Sequence, residues 1–219
     1  MKVLIYGLSG SGKTTLAKYL VELLGDRAEH INADEVRKEV DDWDFSKAGR
    51  ERQLQRMRIL TEQAHERGKI ALADFICPFE EYRELFDADY EIWVNTIDKC
   101  KYEDTNQMFE DSFSADYVVK QHRDDYDARE IVWELVDREF DTRAPTAQML
   151  GIFQPWTEDD QTTFEAHIKE TGQVALMVRD VEQTEEHPHH VLDVCQHLRL
   201  TLAEYAGKVR IFAAPNITA

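Results

Sequence analysis

Three glycines at 7, 10 and 12 lead into a lysine and two hydroxyls, in the order Gly7-Leu8-Ser9-Gly10-Ser11-Gly12-Lys13-Thr14-Thr15. Glycine lets the main chain curl until successive N–H groups point at one spot, which makes a cradle for phosphate oxygens. An ammonium at Lys13 would reach the β- and γ-phosphates, and the Thr14 hydroxyl would take a place on Mg²⁺. Gly7, Ser9, Gly10, Ser11, Gly12, Lys13, Thr14 and Thr15 are therefore the expected nucleotide-binding residues, with Thr14 on the metal side. A glycine-rich turn with a surface lysine could share the letters, so context decides: the motif needs a strand before it and a helix after it. Residues 3–6 are a short apolar run, and Leu16, Tyr19, Leu20, Leu23 and Leu24 share one helical face. The start of that helix adds its positive end to the concavity. The reading is a bound nucleoside triphosphate.

Two carboxylates stand where strands should end. Asp34 follows a candidate strand at 28–32, and Asp74 ends another, apolar one at 70–73. Either could hold Mg²⁺ through water or take the proton of an attacking hydroxyl, and Asp34 could also cap a helix, a role compatible with the first two. Arg37, Arg50 and Arg56 could grip an anionic acceptor with guanidinium forks, or line a solvated helix face. Phe45 and Phe75 could stack on a base or belong to the core. His187, His189, His190 and His197 lack a metal-binding spacing and read as a solvated turn with an outlier. Cys77, Cys100 and Cys195 are too scattered for a metal set or a disulfide framework and read as idle thiols.

These side chains need a scaffold, and the 219 residues suffice for one large α/β domain or two small ones. Strands at 3–6, 28–32, 70–73, 91–94 and 117–119 alternate with helices near 34–40, 46–67 and 128–136, with Ser46 a helix cap. That alternation implies a parallel sheet covered on both faces, with ligands at the C-terminal strand edges. Residues 104–114 are polar with scattered aromatics, as a mobile lid would be. A second β-α-β-α-β pattern follows, with strands at 148–153, 174–178 and 209–213 and helices at 162–170 and 190–205. The boundary is placed at 137–147, giving domains at 1–140 and 146–219. A net charge of −18 weighs against a long polynucleotide partner, which is bound by Lys and Arg. No apolar run approaches the ~18 residues of a membrane span. The first strand begins at once, leaving no room for a signal or transit peptide.

The first ~140 positions resemble the adenylylsulfate kinase family of phosphate-loop kinases. Residues 7–15 are similar to that family's phosphate loop. Asn32-Ala33-Asp34-Glu35-Val36-Arg37 is similar to its Asp-Gly-Asp-Asn-x-Arg segment. Phe45-Ser46 with Arg50 and Arg56 resembles its Phe-Ser-x-x-x-Arg helix, and Phe75-Ile76-Cys77-Pro78-Phe79 its Phe-Ile-Ser-Pro-Tyr turn. The resemblance implies a three-layer α/β/α fold and transfer of the γ-phosphoryl of Mg-ATP to a hydroxyl, by default the ribose 3′-OH of adenylylsulfate. It implies Lys13 and Asp34 as catalytic residues and Asp34, Arg37, Phe45, Arg50 and Phe75 as acceptor-binding residues. The chain departs from the family in several places. The family's first Asp is Asn32, Gln53 and Gln55 replace an asparagine and an arginine, and the basic lid becomes Tyr102-Glu103-Asp104-Thr105-Asn106-Gln107-Met108-Phe109. That lid resembles those of kinase-like proteins in bacteriophage genomes, which implies the host cytoplasm as the setting.

From Gln148 onward the chain resembles the start of a cytidylyltransferase-like domain, a smaller Rossmann-like α/β fold. The family's Gly-Arg-Phe-x-Pro-x-His-x-Gly-His reads here Gly151-Ile152-Phe153-Gln154-Pro155-Trp156-Thr157-Glu158-Asp159-Asp160. Both histidines are gone, and three acidic residues stand where a triphosphate would dock, each repelling it by ~1 kcal/mol at ~4 Å even in water. This half is read as a nucleotidyltransferase fold without its catalysis, serving docking, homodimerisation or regulation. Three functions are carried forward: a kinase of a small anionic or nucleotide-like acceptor, a kinase of a hydroxymethylated base in phage DNA, and a catalytically weak nucleotide-binding regulator.

Overall fold

A computed structural model describes residues 1–215; the last four positions of the expected second domain lie outside the described residues. The chain divides into two compact units, Met1–Ile131 and Val132–Ala219. The division falls inside a helix, α6 (Tyr126–Leu135), ahead of the 137–147 stretch chosen from charge and proline content.

The first unit is a five-stranded parallel sheet made of β1 (Lys2–Tyr6), β2 (Ala28–Asn32), β3 (Ile70–Phe75), β4 (Tyr90–Val94) and β5 (Tyr117–Val119), in the order β2-β3-β1-β4-β5. In β1, Leu4 and Tyr6 join a core with Ile31, Leu54, Met57, Ala71, Ala73 and Trp93. Val3 and Ile5 point the other way and are equally buried, so β1 is covered on both faces, as a central parallel strand must be. The chain leaves β1 between the ends of β3 and β4, where parallel sheets place their ligands.

Helix α1 (Lys13–Leu24) starts at Gly12, whose φ of 98° is left-handed, and ends at Gly25; its buried Leu16, Ala17, Leu20 and Leu24 form the inward stripe. Helix α2 (Ala33–Glu39) is capped by Asn32, and α3 (Lys47–Glu66) by Ser46, whose hydroxyl accepts from Gly49 N at 3.2 Å. Two short helices, α4 (Glu80–Phe86) and α5 (Glu103–Met108), carry no long apolar stripe and were not expected. Helix α5 lies in the segment read as a lid.

The second unit holds β6 (Ala147–Gly151), α7 (Glu158–Thr171), β7 (Val174–Asp180), α8 (Val191–Thr201) and β8 (Val209–Pro215) in a three-stranded parallel sheet, order β6-β7-β8. Phe164 of α7 and Val194 and Leu198 of α8 pack with Met149, Leu176 and Ile211. Thr157 and Asp160 form a capping box at the start of α7: the Thr157 hydroxyl accepts from Asp160 N at 3.2 Å, and Thr157 N donates to Asp160 Oδ2 at 2.9 Å. His190 caps α8, its Nδ1 accepting from Leu192 N at 3.2 Å.

Candidate active site

The glycine loop is a closed curl. Ser11 N donates to Leu8 O at 3.1 Å, and Leu16 N to Gly12 O at 3.0 Å. Gly7 cannot be replaced without collision, because a Cβ there would lie 2.3 Å from the carbonyl oxygen of Val94. The Thr96 hydroxyl, just past β4, donates to Ser11 O at 2.7 Å, and His122, past β5, covers Gly12. Nothing in the sequence marks Thr96 or His122; the strand order brings the ends of β4 and β5 to the loop.

Lys13 is only 9% exposed, and its Nζ donates to Leu8 O at 2.8 Å, inside the curl. Burial pushes its ammonium down to about 8, against the opposing pull of Asp74, Asp34 and Cys100. A buried ammonium with carboxylates nearby is poised for an anion that restores its charge. Fully buried Ser11 leaves its hydroxyl oxygen without a hydrogen-bond partner among the described residues.

Beside the loop runs a polar chain. Asn32 Nδ2 lies 3.3 Å from Thr14 Oγ1 and donates to Asp74 Oδ1 at 2.6 Å; Asp74 Oδ2 meets His30 Nε2 at 3.0 Å. Asp74, 2% exposed, is thus tied on both oxygens, and His30 is a member of the site that sequence reading did not single out. Asp34 sits exposed in the first turn of α2. Asn32 Oδ1 takes the capping bonds, from Asp34 N and Glu35 N at 3.1 Å each, so the Asp34 carboxylate is not a cap and accepts no hydrogen bond among the described residues. The Thr14 hydroxyl and the Asp34 carboxylate are hard oxygen donors of the kind Mg²⁺ takes, while among the described residues no cluster of three or more His, Cys, Asp or Glu side chains is placed to hold a metal ion.

The arginines expected on the acceptor side make contacts within the first unit. Arg37 is buried and donates to Asp42 O at 2.9 Å and Asp44 O at 3.2 Å. Arg50 donates to Phe45 O at 3.0 Å and bridges to Asp104 of α5 at 3.1 Å. Arg56 pairs with Asp42 at 2.7 Å. Hydrogen bonds from Arg52 and Arg56 hold the Asp42 carboxyl far below the usual range. Phe45 is exposed with the Arg37 guanidinium 4.7 Å from its ring centre, whereas Phe75 is half-buried against Phe86, ring centres 5.5 Å apart. The segment carrying α5 has a local turn at its start and a longer-range tie at its end. Asn106 exchanges hydrogen bonds with the Cys100 backbone, and Glu110 N donates to Pro78 O at 2.8 Å.

The adenylylsulphate kinase family model matches residues 1–116, all within the first unit. The chain belongs to the adenylylsulphate kinase family. Homologues in this family are phosphotransferases with a hydroxyl acceptor. The bifunctional enzyme NodQ of a Rhizobium species is 33% identical over 120 residues, 50% of this chain and 19% of NodQ. The adenylyl-sulfate kinase of Shewanella pealeana is 35% identical over 114 residues, 47% of this chain and 56% of that protein. The chain thus spans from about a fifth to just over half the length of these relatives. The Mycobacterium tuberculosis APS kinase CysC, solved in complex with AMPPNP and APS, superposes with a TM-score of 0.55 at 21% identity, covering 61% of this chain and 96% of that one. That likeness establishes the α/β phosphate-loop kinase fold.

Proposed function

We propose that the first unit transfers the γ-phosphoryl of ATP to a hydroxyl of a small acceptor, with adenylylsulfate, named in its relatives, as the reference acceptor. The observation that carries this is the buried Lys13 ammonium, held inside the amide curl with the unpartnered carboxylate of Asp34 nearby. The loop amides and Lys13 bind the β- and γ-phosphates; Lys13 gives up Leu8 O and regains its full charge against phosphate. Asp34 accepts the proton of the attacking hydroxyl. Mg²⁺ would be held by Thr14, with Asp34 or Asp74 beside it, and would neutralise phosphate charge. Catalysis then rests on positioning and charge stabilisation.

The second unit is a docking or regulatory element with the strand-helix order of a nucleotidyltransferase and a helix cap where that chemistry needs histidines. The test is labelled γ-phosphate transfer by the full chain and by Lys13→Ala. The wild type is expected to label an acceptor and the variant to lose at least ~100-fold; equal transfer by both would refute the assignment.

A further inference from the structure

We infer that His30 is a positioning residue for the nucleotide site: it holds Asp74 so that Asn32 keeps the Thr14 hydroxyl turned toward the Mg²⁺ of Mg-ATP. This rests on the phosphotransferase reading above and adds to it a side chain that reaches the loop only through others. His30 lies on β2 two residues before Asn32, so the two side chains stand on one face of the strand. Asn32 is paired with Asp74 across the sheet, and His30 with Leu72, two residues short of Asp74. That register lets the imidazole and the amide meet one carboxylate from the same side of the sheet edge.

The direction of hydrogen bonding along these side chains is fixed. Asn32 Oδ1 accepts from Asp34 N and Glu35 N, so the amide cannot be turned end for end. Its Nδ2 must then point away from α2, giving one hydrogen to Asp74 Oδ1 at 2.6 Å and the other to Thr14 Oγ1 at 3.3 Å. A hydroxyl oxygen has two lone pairs; Asn32 takes one and leaves the second for a metal ion, which is the fit Mg²⁺ needs. The contact to Thr14 is the longest in the series and the first to go if the amide shifts. The amide is steadied by Asp74, whose second oxygen meets His30 Nε2 at 3.0 Å. The Asp74 side chain is only 2% exposed, so water is poorly placed to replace the ring. Without the imidazole, the buried carboxylate turns to find a second donor and draws the Asn32 amide off Thr14. Partners that orient a metal-binding side chain in this way tune the affinity for the metal.

The experiment measures ATP binding to the full chain by calorimetry, once with Mg²⁺ and once with EDTA, for the wild type, His30→Leu and His30→Gln. The ratio of the two affinities is the gain due to the metal. His30→Leu is expected to lower that gain at least fivefold. His30→Gln, whose amide keeps a donor for Asp74, is expected to hold it within twofold. Metal-free affinity should agree within twofold across all three. In a Thr14→Ala background, adding His30→Leu should change the gain no further, because the effect passes through that hydroxyl. Urea unfolding of each variant records any loss of stability separately, and His30→Val, suited to a strand, makes the same comparison if His30→Leu does not fold. An unchanged gain in the folded apolar variant, an equal loss with and without Mg²⁺, or no rescue by His30→Gln overturns the inference, while the phosphotransferase reading stands on the Lys13→Ala comparison. If the wild type binds no ATP, both fall.

Discussion

Asn32 and Asp74 occupy paired positions on adjacent strands, and the Asn32 amide donates to the Asp74 carboxylate across 2.6 Å. The segment resembling Asp-Gly-Asp begins here with an asparagine, and the carboxylate at this point of the sheet edge stands one strand over. Asn32 serves two ends: its oxygen caps α2 and its Nδ2 reaches both Asp74 and Thr14. The loop hydroxyl, the start of α2 and the end of β3 are joined through one amide.

Asp74→Ala leaves the Asn32 amide and the His30 ring without their shared buried acceptor. Loss of about 1–3 kcal/mol is expected, the usual cost of orphaned buried polar groups. Asp74→Asn, which keeps one acceptor oxygen, should lose less. Urea unfolding of the three proteins measures the difference.

Lys13 gives a pH dependence with a definite sign. Burial lowers it to about 8 in the folded chain, below the unfolded value of ~10.4. Between those values the unfolded chain binds more protons, so this group makes stability rise with pH from about 8 upward and contributes its full penalty below. Phosphate restores the charge, so nucleotide binding should take up protons increasingly from pH 7.5 to 9. Calorimetry in buffers of different ionisation enthalpy measures the uptake, and Lys13→Met should abolish it.

The glycines separate strain from collision. A Cβ on Gly10, with φ of 86°, meets nothing within 4 Å, whereas one on Gly7 meets the Val94 carbonyl at 2.3 Å. Gly10→Ala should cost about 1–2 kcal/mol from its left-handed backbone alone. Gly7→Ala should cost at least ~2 kcal/mol more, because a central-strand backbone must move. Thermal melts rank the two.

Thr157→Ala should destabilise the second unit by about 1 kcal/mol through loss of its capping box. Denaturation followed by exchange of the amides of α7 checks it.

The loop, the five parallel strands and the carboxylates at the strand edges were legible in the sequence because they follow from apolar runs, glycine and short-range order. Ser46 as a cap was legible for the same local reason. The fates of Arg37, Arg50 and Arg56 were not, since residue type gives a guanidinium's reach but not whether a backbone carbonyl or a carboxylate already fills it. His30, Thr96 and His122 escaped notice because only strand order brings them to the loop. Residue type lets Asp34 be a helix cap as well as a catalytic carboxylate, and the capping bonds of α2 go to Asn32 Oδ1.

The most direct measurement compares Asp34→Asn with the wild type in ATP affinity and in phosphoryl transfer to the best wild-type acceptor. ATP affinity is expected to stay within about twofold, while transfer falls at least ~100-fold, the range of a lost general base. Undiminished transfer by Asp34→Asn would contradict the role given to that carboxylate.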